Sequence, residues 1–266
     1  MTVSTGTVAA TRGSRGRGRE AGGPTRSGWL SGGRELGVLA GLYVAYSLTR
    51  VLASDDLAAA QDRARDIGRL EDALHLDVES WLNHATSDLA WLAVPMDFWY
   101  AVLHYLVTPV ALGWLYLRRR SDYGRARTAL VVSSVLALGC YLLLPTAPPR
   151  LTGGSSYVDT LALYAHVGWW SEHASAPSGL GGLTNELAAM PSLHVGWAIW
   201  AVWAVRGRLL AYLYPAGTAL VVVCTGNHWV LDCVVGLLLT LAGIGAATWW
   251  SPARSEERRP RGLGHE

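Results

Sequence analysis

Two short polar segments interrupt a chain otherwise dominated by apolar runs, and their residue types suit work on a phosphoester. The first is Met190-Pro191-Ser192-Leu193-His194, at the mouth of one apolar run. The second is Asn227-His228-Trp229-Val230-Leu231-Asp232, at the mouth of another. Ionisable side chains at membrane depth are expensive to bury, which marks them as functional candidates. His228 and Asp232 are four residues apart and share a helical face, where the carboxylate holds the imidazole in one tautomer and stabilises its protonated form. The other ring nitrogen is then a nucleophile, and His194, brought near by the fold, supplies a general acid. This is equipment for attacking phosphorus without a metal ion, so neither metal nor cofactor is expected.

Neighbouring residues extend the candidate set. Pro191 suits a helix start, where free backbone N–H groups favour an anion. Ser192 either caps that end or donates to a phosphate oxygen. Alone, this segment reads equally well as a capped helix with an interfacial histidine; the second segment shifts the balance. Arg150, in Ala147-Pro148-Pro149-Arg150, follows an apolar run on the same side. Its forked donors match phosphate oxygens, although an interfacial arginine with its head in water is the competing explanation. Asn227 adjoins His228, and Tyr100 and His104 lie one turn apart on an earlier run, so all three are candidates to touch the substrate. A lone histidine on an apolar face is more often simply packed.

Other polar features carry less. Glu172-His173 with His166 lacks a metal-ligand spacing, and no metal site is expected there. Cys140, Cys224 and Cys233 fall inside apolar runs and read as packed thiols. Trp169 and Trp170 read as residents of the lipid headgroup layer.

The elements that must position these residues follow from the charge pattern. Of 266 residues 51% are apolar, and the charges gather at the termini and in a few short segments. The remaining runs approach the length of a bilayer crossing. They lie at about 36–53, 89–117, 128–144, 188–205, 209–225 and 229–249, and tryptophans cluster at their ends as at membrane interfaces. The expectation is an all-α integral membrane bundle of six transmembrane helices, spanning residues 34–250. A disordered basic tail over 1–33 and a second tail over 251–266 flank it. Asp55 to His84 carries Ala60, Ala64, Ile67, Leu74, Val78 and Trp81 at three- and four-residue steps, which predicts one amphipathic helix on the membrane surface or capping the bundle. A long Gly/Pro/Ser-rich loop over 146–187 contains a short helix between Tyr157 and Trp170.

All 22 basic residues are arginine, a bias that hints at a bacterial genome rich in G and C. Six crossings place four arginine-bearing segments, including Arg118–Arg127 as a loop, on one side. By the positive-inside rule that side is cytoplasmic, with both termini, in a multi-pass cell-membrane protein. His194, His228, Asp232 and the 146–187 loop then face outward. The formal charge of +2 says little about partners, and nothing points to nucleic acid.

Pro191-Ser192-x-His194, His228-x-x-x-Asp232 and Pro148-Pro149-Arg150 together resemble the three-part signature of the type 2 phosphatidic acid phosphatase superfamily, over about residues 90 to 245. The resemblance implies a six-helix membrane fold in which His228 forms a phosphohistidine, Asp232 orients its ring and His194 protonates the leaving group. Two positions depart from the phosphatase pattern. Leu143 stands where the pattern has a lysine, seven residues before the arginine, and Val222 stands where it has an arginine, six residues before the nucleophile. Cys224-Thr225-Gly226-Asn227-His228 looks more like the inositol phosphorylceramide synthase branch and its phosphotransferase relatives. A phosphomonoester carries close to two charges and asks for several cations when buried, whereas a diester carries one. Losing two cations favours a diester.

The expected activity is thus cleavage or transfer of a lipid phosphoester, by phosphotransfer or diester-type head-group exchange. The substrate is a membrane phospholipid or polyprenyl phosphate, and the acceptor a polyol or lipid alcohol. A lipid phosphate or polyprenyl diphosphate phosphatase is the alternative enzyme. A membrane scaffold with a vestigial site is the alternative without catalysis, and retention of all three polar residues beside Arg150 argues against it.

Overall fold

The computed structural model describes residues 26–53, 56–76, 78–153, 156–170 and 185–250, with the backbone alone for 26–31 and Arg50. The rest of both expected tails, and Glu172 and His173, lie outside the described residues. The chain divides into two compact units, residues 1–40 and 41–266. The described part of the first is the N-terminal portion of α1 (Arg26–Leu52). That helix takes in residues 26–33, which the composition assigns to the tail. Extending an established helix costs far less than nucleating one, so an apolar run carries its helix into poorer sequence.

The second unit is helical, with no strand among its described residues. The amphipathic stretch forms two helices instead of one, α2 (Leu57–Leu74) and α3 (Glu79–Ser87). Asp56 caps α2 by accepting from the Ala59 amide at 3.0 Å. His75, at φ 57°, ends it, and the amides of His75 and Leu76 turn back onto Asp72 and Glu71 carbonyls. That left-handed residue is the break that hydrophobic periodicity does not register, because the apolar steps continue through it.

The long apolar helices are α4 (Ala90–Arg118), α5 (Arg120–Leu143) and α9 (Val230–Trp250). By length and composition these three could cross a membrane. At about 1.5 Å per residue, even the shortest of them matches a hydrocarbon core about 30 Å thick. Two shorter apolar helices, α7 (Leu193–Ala204) and α8 (Leu213–Cys224), have 12 residues each. They start later than their apolar runs because Ser192 caps α7 and a 3-10 turn over Leu209–Tyr212 precedes α8. The segment Arg118–Arg127, expected as a loop, is helical except at Arg119. Arginine is a good helix former, and one residue out of helical conformation suffices for the turn. α6 (Thr160–Leu163) is a single turn inside the long loop, capped by Asp159.

α9 is the centre of this unit and packs against α5 and α7. A close approach is at Gly236, where a Cβ would collide with the Ser192 carbonyl oxygen. Indole N–H groups tie the same helices together, Trp197 donating to the Ser134 hydroxyl at 3.0 Å and Trp200 to the Ala126 carbonyl at 2.8 Å. α2 does not lie apart from the bundle. Its Ala60, Ala64 and Ile67 pack with Ala147 over the Trp229 ring, closing the end of the bundle above the first turn of α9.

Candidate functional site

The two polar segments meet at that closed end. The Ser192 amide donates to the Asp232 carbonyl at 2.9 Å, joining the start of α7 to the first turn of α9. The Ser192 hydroxyl accepts from the Val195 amide, and the residue is fully buried. Of its two possible roles it takes the cap. Tyr141 fixes the preceding turn by donating its hydroxyl to the Pro191 carbonyl at 2.6 Å.

This frame sets the imidazoles of His194 and His228 face to edge, with ring centroids 5.6 Å apart. Nδ1 of His228 lies 2.8 Å from the Ala189 carbonyl oxygen and 3.3 Å from Asp232 Oδ2. Both neighbours only accept, so Nδ1 carries the hydrogen and Nε2 keeps the lone pair. The backbone carbonyl is the nearer partner, and the carboxylate stands behind it. Asp232 Oδ2 also accepts from the Trp229 amide at 2.9 Å. An acid at the third helical position reaching back to the capping residue's N–H satisfies a donor that the helix itself leaves open.

Tyr100 and His104 join the site from α4. The Tyr100 ring stacks on His194 with centroids 4.3 Å apart, and His104 meets His194 edge-on at 4.2 Å. His104 Nδ1 faces the Tyr100 carbonyl oxygen at 3.1 Å. Nε2 of His194 is buried and has no hydrogen-bond partner in the described protein.

Arg150 reaches the same end. Its amide donates to the Gly226 carbonyl at 3.0 Å. Its Nε donates to Asn227 Oδ1 at 2.9 Å, and its Nη1 to Asp159 Oδ2 at 3.2 Å. Asn227 is buried, and its amide nitrogen donates to the Thr225 hydroxyl at 2.9 Å. Both ends of the Asn227 side chain are thus engaged within the protein, and the residue aims Arg150. Gly226, at φ 70°, makes the turn into this segment; a Cβ there would crowd the Val158 carbonyl oxygen at 3.1 Å.

Several polar residues that the motifs do not contain also converge here. Asn83 on α3 donates to the Val158 and Cys224 carbonyls, each at 2.9 Å, and accepts from the Val158 amide at 2.7 Å. Thr160 donates to the buried Asp97 at 2.7 Å. Glu79 accepts from the Val230 amide at 3.0 Å and Glu71 from the Leu231 amide at 2.7 Å. Burial and the neighbouring Glu79 side chain push the Glu71 carboxyl up to about 9. The sequence held a signal for these residues. Glu71 continues the stripe Ala60, Ala64, Ile67, and Glu79, Asn83, Thr86 and Ser87 fall on one face of α3. A carboxyl on an apolar stripe is a buried carboxyl.

The expectation for the tryptophan pair ends differently. Trp170 is buried, donates to the Leu161 carbonyl at 2.9 Å and meets Phe98 edge-on at 4.9 Å. It is a core residue, because its loop folds back onto α4, while Trp169 is partly exposed. Among the described residues no group of three or more His, Cys, Asp or Glu side chains is placed to hold a metal ion.

A family model described as the PAP2 superfamily matches residues 65–246. The match covers more than half of the chain, and the chain belongs to that superfamily. Membership points to phosphatase or phosphotransferase chemistry on phosphoesters. No curated protein and no solved structure matches the chain.

Proposed function

We propose that this protein is a metal-independent lipid phosphotransferase working through a phosphohistidine on His228. The observation that carries the reading is the His228 ring, its Nδ1 committed to two acceptors and its centroid 5.6 Å from that of His194. In the first step His228 Nε2 attacks phosphorus, a P–N bond forms and the P–O bond to the leaving group breaks. His194 gives that oxygen a proton. The positive charge on His228 is stabilised by Asp232, as a buried carboxylate supports an imidazolium. In the second step an acceptor hydroxyl gives its proton to His194 and attacks phosphorus, and the P–N bond breaks. Arg150, aimed by Asn227, has further N–H groups for the phosphate oxygens. Tyr100 and His104 hold the His194 ring between them.

The acceptor decides between transferase and hydrolase. A polyol or lipid alcohol gives head-group exchange, and water gives the lipid phosphate or polyprenyl diphosphate phosphatase. The pairing of Arg150 with Asp159 favours the first, because it spends part of the one arginine that the described residues draw into the site. With Leu143 and Val222 at the two departing positions, a singly charged diester suits this site better than a doubly charged monoester. That is also the ground for placing the chain near the inositol phosphorylceramide synthase branch. In the membrane we assign six crossings, both termini cytoplasmic and the site at the outer face, on the strength of the arginine-bearing segments.

Purified protein incubated with a panel of labelled phospholipids and prenyl phosphates, with and without polyol acceptors, tests the reading. A new labelled lipid that appears only with acceptor is expected. Release of free phosphate alone would favour the phosphatase, and no turnover of any phosphoester would defeat both.

A further inference from the structure

Glu71 and Glu79 take no part in the chemistry above, yet both are about 1% exposed and both grip the helix that carries it. They come from different helices, α2 and α3, and bond to consecutive amides of α9. Those amides belong to Val230 and Leu231, the residues between His228 and Asp232. With Asp232 on the Trp229 amide, three carboxyls take the three leading N–H groups of α9. A helix start favours negative charge, but its effective charge is only about half a unit. Three ionised carboxylates packed around one turn exceed it and repel one another.

The pair has a way to carry less charge. Glu71 and Glu79 accept from adjacent amides, which sets their carboxyls side by side, and the buried Oε2 of Glu71 has no hydrogen-bond partner in the described protein. Ionised carboxylates only accept, so an unpartnered oxygen beside a second carboxyl gains a partner only when a proton sits on one of the two. The groups facing Glu71 are Glu79 from α3 and Asp232 and Cys233 from α9. Asp232 in turn faces His228 and, from α5, Tyr141. None of the cations in the described protein is bonded to the pair.

We propose that Glu71 and Glu79 are a proton-sharing clamp on the first turn of α9, positioning residues that keep His228 and Asp232 in register and let go when the shared proton is lost. The proposal rests on the catalytic reading of His228 and Asp232. In neutral solution Glu71 keeps its proton, and both amides are held. In alkaline solution the proton leaves, the carboxylates repel each other and Asp232, and the turn loosens. The linkage follows from a carboxyl held above its usual range. Between about 4.5 and about 9 the folded chain keeps a proton that the unfolded chain has lost, so this contribution to stability falls as pH rises through that window.

Full-length wild type, E71Q and E71L in lipid nanodiscs are compared by pH–rate profile and by melting temperature from pH 7 to 10. The glutamine amide offers the same acceptor to Leu231 and a permanent donor to Glu79, but cannot ionise. Wild-type kcat is expected to fall toward about tenfold per pH unit above about 9, and its melting temperature to drop from pH 7 to about 9 and level off beyond it. E71Q keeps the neutral rate and loses both declines. E71L lowers kcat about tenfold at neutral pH with KM little changed, and the glutamine variant rescues it. An E71Q profile that declines in parallel with wild type, or an E71L enzyme with wild-type kcat, overturns the clamp. The melting series decides the clamp without any substrate, so absence of turnover in all three proteins sinks the catalytic reading alone.

Discussion

The two ends of the bundle handle polar residues in opposite ways. At the α2–α9 end Glu71, Glu79, Asn83, Asp97 and Asp232 are buried, and each hydrogen-bonds a partner distant in sequence or a helix amide. At the α4–α5 end the charges stay near solvent. Asp122 pairs with Arg206 at 2.8 Å and with Arg125 at 3.4 Å. Arg119 and Arg120 lie over the rings of Trp114 and Tyr116. Buried polar groups are held in fixed geometry because losing a partner strands a desolvated atom, whereas exposed ions exchange partners for water at little loss. The contrast separates the end that holds the proposed site from an end whose charges stay with solvent.

Substitutions at the buried end should therefore be severe and those at the exposed end mild. The largest effect is expected from His228→Ala, which removes the proposed nucleophile. Turnover of every phosphoester should vanish, and no acid-labile phosphoenzyme should be trapped. Wild-type activity in this variant would end the assignment. Asp232→Asn should follow, lowering kcat by something on the order of 10² to 10⁴ while the protein still folds. A melting curve beside the rate separates that from collapse of the α9 cap.

His194→Ala should depend on the substrate. A lipid alkoxide needs its proton and should lose about 10² to 10⁴ in rate, whereas a substrate with an acidic leaving group should lose far less. Equal losses on both would remove His194 as the acid. Asn83→Ala should act on stability, stranding the Val158 and Cys224 backbone groups at about 1 to 3 kcal/mol each, visible as a lower melting temperature. Smallest of all, Asp122→Ala should change stability by no more than about 1 kcal/mol, because its arginines are half-exposed. A drop as large as that of Asn83→Ala would erase the distinction between the two ends.

The sequence revealed unevenly. His194, His228, Asp232 and Arg150 were legible because charge in an apolar run is conspicuous, and the fold brings all four to one end. Asn227 and Ser192 were legible as members of that end but not in their roles, since a side chain that donates inward and one that meets a ligand look identical in sequence. Trp170 was misread because a tryptophan pair in a polar loop resembles an interfacial pair; only the return of that loop to Phe98 buries it. The break at His75 was hidden because apolar spacing runs unbroken across it. Glu71 interrupts an apolar stripe and Glu79 lies on the polar face of α3, but their target, the start of a helix some 150 residues later, is a product of tertiary structure.

The junction of α7 and α9 is made by main-chain atoms. The Ser192 amide meets the Asp232 carbonyl, and the Ser192 carbonyl lies against Gly236. Main-chain atoms are common to all residues, so the spacing of the two histidines is insulated from most drift in sequence, the glycine excepted. On the proposed reading, the surrounding walls are free to diverge and accept new head groups while the histidine pair keeps its distance. A lineage built on such a junction can change its diet without rebuilding its teeth.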